Sequence, residues 1–187
     1  MLTRRSNIPV SFSKTLYIYL ALLLLVIPAR LLFAAVVSAA VHELFHIAAL
    51  RLMRIQIISI HIGVRGARIK TVPMSNKQEL ICSAAGPVGG LLLLSMYRWI
   101  PIIALIGAIQ SLYNLLPLYP TDGGRVLACS LKLFLPDSIA ESVVYATEII
   151  TLSTITAIGI YCSVWMRLGI LPVLFAVSLI LRAAQEK

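Results

Sequence analysis

The chain has 187 residues, 60% of them hydrophobic and only 12% charged, with a mean hydropathy of +0.97 and a formal charge of +9. Soluble domains carry about 25% charged residues, so a water-soluble domain, a disordered chain and a secreted disulfide scaffold are all excluded. The composition is that of an integral membrane protein.

The positive charge does not point to nucleic acid. The sixteen Lys and Arg residues lie scattered between apolar runs, with no basic helix and no aromatic ladder for stacking bases. Basic residues beside spans are what the positive-inside rule produces. Cys82, Cys129 and Cys162 are far apart in apolar surroundings and read as small hydrophobes within helices.

A spanning helix needs about 20 apolar residues. Six segments are candidates, at roughly 15–28, 31–50, 79–97, 99–118, 143–165 and 168–183. The first is short and is separated from the second by Pro28 and Arg30, which predicts a helical hairpin turning at Pro28. Arg4, Arg5 and Lys14 before an apolar stretch also match the start of a signal peptide. No small-residue cleavage site followed by polar sequence is present, so an uncleaved first span is expected. With six spans and a cytoplasmic N-terminus, thirteen basic residues fall on the inner side. Only Arg30, Arg98 and Arg167 fall outside, which favours both termini in the cytoplasm.

Two stretches break the helical pattern. Residues 55–70 (IQIISIHIGVRGARIK) are rich in β-branched side chains, with Gly63 and Gly66 as turn or bulge points. They predict a short strand or hairpin at the membrane border. Residues 117–124 (PLYPTDGG) end the fourth helix with two prolines and two glycines. Irregular backbone at membrane depth is tolerated only where protein or a water-filled cavity covers it, so this segment points to a site. With no repeat, low-complexity run or linker, one integral-membrane domain over 1–187 is expected.

The chemistry concentrates in His42-Glu43-Leu44-Phe45-His46, an HExxH motif inside an apolar helix. Residues four apart share a helix face, so both imidazoles reach one metal, and Glu43 lies beside them to take a proton from water. The alternative is a polar helix-packing cluster, although ionisable groups within a span are costly and are functional by default. Catalytic zinc takes three protein ligands and keeps a fourth position for water. The third must come from elsewhere, and the chain has only two aspartates, Asp122 and Asp137. Asp122 sits in the broken 117–124 segment, where a helix starting near Gly123 would favour the ionised carboxylate. It could also serve only as that helix's cap.

These residues carry a resemblance. HELFH in an early helix, followed by Asn114-Leu-Leu-Pro-Leu-Tyr-Pro-Thr-Asp122-Gly-Gly-Arg, resembles the site-2 protease family of intramembrane zinc metalloproteases, whose members show HExxH and then N-x-x-P-x-x-x-x-D-G. Ala84-Ala-Gly-Pro-Val-Gly-Gly-Leu is similar to the family's A-G-P element. Six spans without a PDZ domain are most similar to the sporulation branch, of the stage IV sporulation protein FB type. The resemblance implies His42, His46 and Asp122 as ligands of one Zn2+, Glu43 as general base, and Asn114 as a support for the substrate backbone or oxyanion. Many relatives carry a polar residue where this chain has Gly90, so no polar role transfers there. Sporulation-branch proteins often end in a CBS domain, and the sequence here ends at Lys187 without one, so ATP-linked regulation is not implied.

Other residues read more plainly. His61 is expected to be an interfacial side chain, and Glu148 to lie near the inner end of the fifth span or face the bundle. Gly86, Gly89 and Gly90 suit close helix packing. Arg65, Arg68 and Lys70 read first as positive-inside charges and second as a contact for anionic lipid or an acidic substrate segment. The 55–64 stretch offers a strand edge to which an unwound substrate could pair.

The expectation is an all-α polytopic membrane protein of about six transmembrane helices with a short β-like hairpin. Its metal helices lie within 31–50 and 99–124. The expected function is intramembrane zinc endoproteolysis of a membrane-tethered protein, such as a sigma-factor precursor in sporulation. Expected partners are that substrate, the bilayer of the cell or forespore-surrounding membrane, and regulatory membrane proteins. A catalytically silent scaffold and a small metal or ion transporter are the alternatives. A transporter usually shows interrupted helices in both halves, and only one interruption is visible.

Overall fold

The computed structural model describes residues 8–64 and 66–185. Arg4, Arg5, Arg65 and Lys187, counted above among the inner charges, lie outside the described residues. The chain runs β1 (Val10–Phe12), α1 (Lys14–Val26), α2 (Ala29–Leu52), β2 (Ile57–Gly63), β3 (Gly66–Thr71) and α3 (Asn76–Leu92). A 3-10 turn, Leu93–Met96, extends α3. Then come α4 (Pro101–Asn114), α5 (Asp122–Lys132), α6 (Asp137–Val164) and α7 (Leu171–Gln185).

Among the described residues, three helical segments are long and apolar enough to cross a membrane: Ala29–Leu52, Asn76–Met96 and Asp137–Val164. At 1.5 Å per residue, α2 alone reaches about 36 Å, against a hydrocarbon core of about 30 Å. The helices α1, α4 and α7 are apolar but shorter. Apolar side chains point outward in numbers that water would not tolerate; Leu25 and Val26 of α1 are 82% and 83% exposed. This is the architecture of a membrane protein.

Prolines set several boundaries. Pro28 turns α1 into α2, as the sequence predicts, and Pro136 stands before α6. That helix starts at Asp137, earlier than the expected 143, because Pro136 and the acidic first turn suit a helix start. The fourth helix stops at Asn114, earlier than the expected 118, because the 115–121 connection is irregular. A capping box opens α3: Gln78 N–H donates to the Ser75 hydroxyl, and Ser75 N–H donates to Gln78 Oε1.

Helix α2 closes with a Schellman motif. Arg54 takes φ 56°, Ile55 N–H donates to Leu50 O at 2.9 Å, and Arg54 N–H donates to Arg51 O at 3.0 Å. Leu50, Ile55 and Ile57 are buried together there, with Ile60, Ile69 and Cys82 packed around them. This small core fastens the sheet to the C-terminal end of α2. The hairpin between β2 and β3 is the one expected, turning between Gly63 and Gly66, with a register irregularity at 57–59. That irregularity lets Ile57 face the core together with Ile60 and Ile69.

One expectation needs correction. The 55–64 stretch does not offer a free edge along 60–62, because β2 is the central strand, paired with β1 in parallel and β3 in antiparallel. Ile60 N–H already donates to Pro9 O at 3.0 Å. Strand β1 is three residues long, too short to leave a sequence pattern. Among the described residues, the outer edges of the sheet belong to β1 and β3, and β3 is the one that reaches Glu43 of α2, through its Ala67 N–H.

Helix α3 packs against α2, α4 and α5 and so occupies the middle of the bundle, while α6 pairs with α7.

Candidate metal centre

The two histidines of α2 lie one turn apart and are buried, at 5% and 9% exposure. Asp122 is the first residue of α5 and meets them across the bundle. Its Oδ2 is 3.0 Å from His42 Nε2 and 3.3 Å from His46 Nε2, and the two imidazole nitrogens are 3.2 Å apart. Three potential ligand atoms from distant parts of the chain thus form a near-equilateral triangle. Tetrahedral zinc with bonds of about 2.0–2.1 Å needs its ligand atoms about 3.3 Å apart. The donor set fits.

The neighbouring groups support the same conclusion. His46 Nδ1 donates to the Cys82 carbonyl at 2.7 Å, which leaves Nε2 with its lone pair turned to the triangle. The Nε2 atoms of both histidines and Oδ2 of Asp122 converge on one point, where a proton or a cation has to lie between them. The cap reading of Asp122 is not needed, because Thr121 caps α5: its hydroxyl accepts from Gly124 N–H at 3.4 Å. Asp122 in the first turn faces the helix's positive end, which favours the ionised ligand form.

Glycines bring these parts close enough. An added Cβ on Gly86 of α3 would lie 2.2 Å from His46 Nε2 and 2.7 Å from His42 Nε2, so α3 lies flat on the imidazoles. Gly89 meets Phe45 in the same way, and Gly90 meets Ser111 of α4. The expected close-packing role of these glycines is what the geometry shows. Gly123 and Gly124 let the first turn of α5 lie against the backbone of Leu115, Leu116 and Leu118. That contact places Asp122.

Glu43 stands outside the triangle. Its Oε1 accepts the Ala67 N–H of β3 at 3.3 Å. A Cβ on Gly66, which has φ +104°, would be 3.6 Å from the same oxygen. The tip of the hairpin therefore touches the carboxylate, a contact that sequence spacing alone does not reveal. Asn114 is half-buried at the end of α4, and among the described residues no side-chain hydrogen bond joins it to the cluster. His61 lies on β2, hydrogen-bonded through Nδ1 to the Ser11 hydroxyl at 2.9 Å, and is not part of the His42–His46–Asp122 cluster. Glu148 is buried in α6.

The fold and site together define a membrane-helix bundle organised around two imidazoles and one carboxylate able to hold a metal. No family model matches the chain, and no curated protein matches it. Among solved structures, the fold is similar to the Site-2 Protease from Methanocaldococcus jannaschii, with a TM-score of 0.62 and 20% identity. The match covers 99% of this chain and 93% of that one.

Proposed function

We propose that the chain is an intramembrane zinc metalloendopeptidase of the site-2 protease type, a single domain over 1–187. The observation that carries this reading is the His42–His46–Asp122 triangle, with Glu43 beside it, inside apolar helices. So many ionisable groups at membrane depth are too costly to be structural ornament.

Zinc held by the three side chains supplies Lewis acidity: it lowers the pKa of water to about 7 and polarises an amide carbonyl. The other steps belong to the chain. His46 is oriented by the Cys82 carbonyl, and Asp122 by the first turn of α5. Glu43, tethered at Oε1, receives the proton as the water oxygen bonds to the carbonyl carbon. It then delivers that proton to the amine nitrogen as the C–N bond breaks. Asn114 is the last residue of α4, just before the connection that leads to Asp122, and the sequence resemblance gives it the role of supporting the substrate backbone or oxyanion. A substrate peptide must be extended to expose its amide, and the open side of β3 beside Glu43 suits it.

The test is metal analysis combined with cleavage of a reconstituted, membrane-tethered substrate. We expect about one zinc per native chain and cleavage that a chelator stops. Asp122→Ala should lose both the metal and the activity, because a two-histidine site is one ligand short. Full zinc occupancy in that variant would remove Asp122 from the ligand set. The motif resemblance to the sporulation branch makes a tethered sigma-factor precursor the first substrate to try.

We also propose six crossings with both termini cytoplasmic. The support is the charge asymmetry together with the apolar exteriors of α1, α4 and α7. Reporter fusions after Lys77 and Lys132 should report the cytoplasm, and insertions near Arg98 and Arg167 the outside. An outside signal at Lys77 would invert the arrangement.

A further inference from the structure

Directly opposed residues of an antiparallel pair share a face of the sheet. Ile60 and Ile69 are opposed and pack on the core near α2. His61 and Arg68 are opposed on the other face, with Ser59 opposite Lys70 and Ser11 beside His61. That face therefore displays an imidazole, a guanidinium, an ammonium group and hydroxyls, and no carboxylate.

At the hairpin end, this face and the start of α1 border a cavity of about 230 Å3, lined in part by Ser13, Thr15, His61, Gly66 and Arg68. A single water occupies about 30 Å3, so the space admits a side chain. Every charged or polar group named in the lining can donate a hydrogen bond. Ser13 does not cap its own helix; its hydroxyl meets that of Thr15, and the positive end of α1 adds to the field. Nδ1 of His61 is hydrogen-bonded to the Ser11 hydroxyl, and in the tautomer where the hydroxyl donates, Nε2 carries the proton and is a further donor. Arg68 forms no ion pair among the described residues. Gly66 belongs both to this cavity and to the neighbourhood of Glu43 Oε1.

We propose that this cavity is a specificity subsite for an acidic side chain of the substrate, with Arg68 as its anchor. The inference rests on the protease reading, since it sets the occupant beside the scissile bond. A peptide extended along β3 passes the hairpin tip within one residue of Glu43's tether. An Asp or Glu close to the cut can then turn into the cavity and meet the guanidinium fork, the geometry that pairs best with a carboxylate. The same proximity favours a peptide over a lipid headgroup, which would occupy the approach to the carboxylate that must receive the proton.

The experiment measures binding first. Labelled extended peptides, identical except for Glu, Gln or Lys at one central position, are titrated onto the full chain carrying Glu43→Gln in phosphatidylcholine nanodiscs. The Glu peptide should bind about tenfold tighter than the Gln peptide, corresponding to about 1.4 kcal/mol. Arg68→Gln should erase the preference, and Arg68→Glu should turn it toward the Lys peptide, with zinc content as the check on folding. Equal binding of the three peptides, or a Glu preference that survives both substitutions, overturns the subsite. So does a charge effect seen only as binding of phosphatidylglycerol vesicles, which would make this face a lipid contact. Cleavage of tethered substrates by the native chain is scored separately. Charge-selective binding without any cleavage supports the subsite and sinks the protease reading. Cleavage with no acidic preference does the reverse.

Discussion

Glu43→Gln should reduce cleavage by about 10²–10⁴-fold, the usual contribution of a positioned acid–base group, while zinc stays at about one per chain. The two effects separate because Glu43 is not one of the three triangle atoms. Glutamine keeps the length of the side chain and an oxygen to accept the Ala67 N–H, so the hairpin contact survives. What it cannot do is take a proton from water at neutral pH. The measurement pairs metal analysis with single-turnover cleavage. If the variant loses zinc as completely as His46→Ala does, Glu43 is a ligand and the division of roles is wrong.

Gly86→Ala should empty the site although it adds only a methyl group. By helix propensity alone, alanine would stabilise the middle of α3 by roughly 0.5–1 kcal/mol. The local geometry opposes this. The new Cβ would stand 2.2 Å from His46 Nε2, 2.6 Å from its Cε1 and 2.7 Å from His42 Nε2. His46 cannot swing aside without breaking its bond to the Cys82 carbonyl on the same helix α3. Disturbing such outer contacts typically costs 10–100-fold in metal affinity, and here the ligand atoms themselves are displaced, so the loss should reach at least that range. Competition with a chelator measures it. Native affinity in Gly86→Ala would mean that α3 sits farther from α2 than described.

The two sets of expectations differ in what a linear sequence can carry. His42 and His46 were legible because i, i+4 spacing fixes a shared helix face whatever the rest of the chain does. Asp122 was legible as a candidate because aspartates are scarce here and a Pro/Gly break beside one is conspicuous; only the three-dimensional meeting with α2 assembles the triangle. The hairpin was readable from its alternating residues and two glycines, but its neighbour was not. Three residues at Val10–Phe12 carry no periodicity, and their pairing with β2 covers its free side and leaves β1 and β3 as the outer edges. The close approach of Gly86 to the imidazoles and the tether from Ala67 to Glu43 involve a missing side chain and a backbone N–H, which no residue pattern encodes.

The three side chains able to hold a metal are separated by as many as 80 residues, from His42 to Asp122. A ribosome adds about 5–20 residues per second, so roughly 4–16 s pass between the synthesis of the histidine pair and that of the carboxylate. During that interval α2 and α3 exist without the element that closes the triangle. The nascent protein therefore spends seconds in the bilayer with its histidine pair still lacking the carboxylate. The completed site appears as a late event of biogenesis, timed by the arrival of α5.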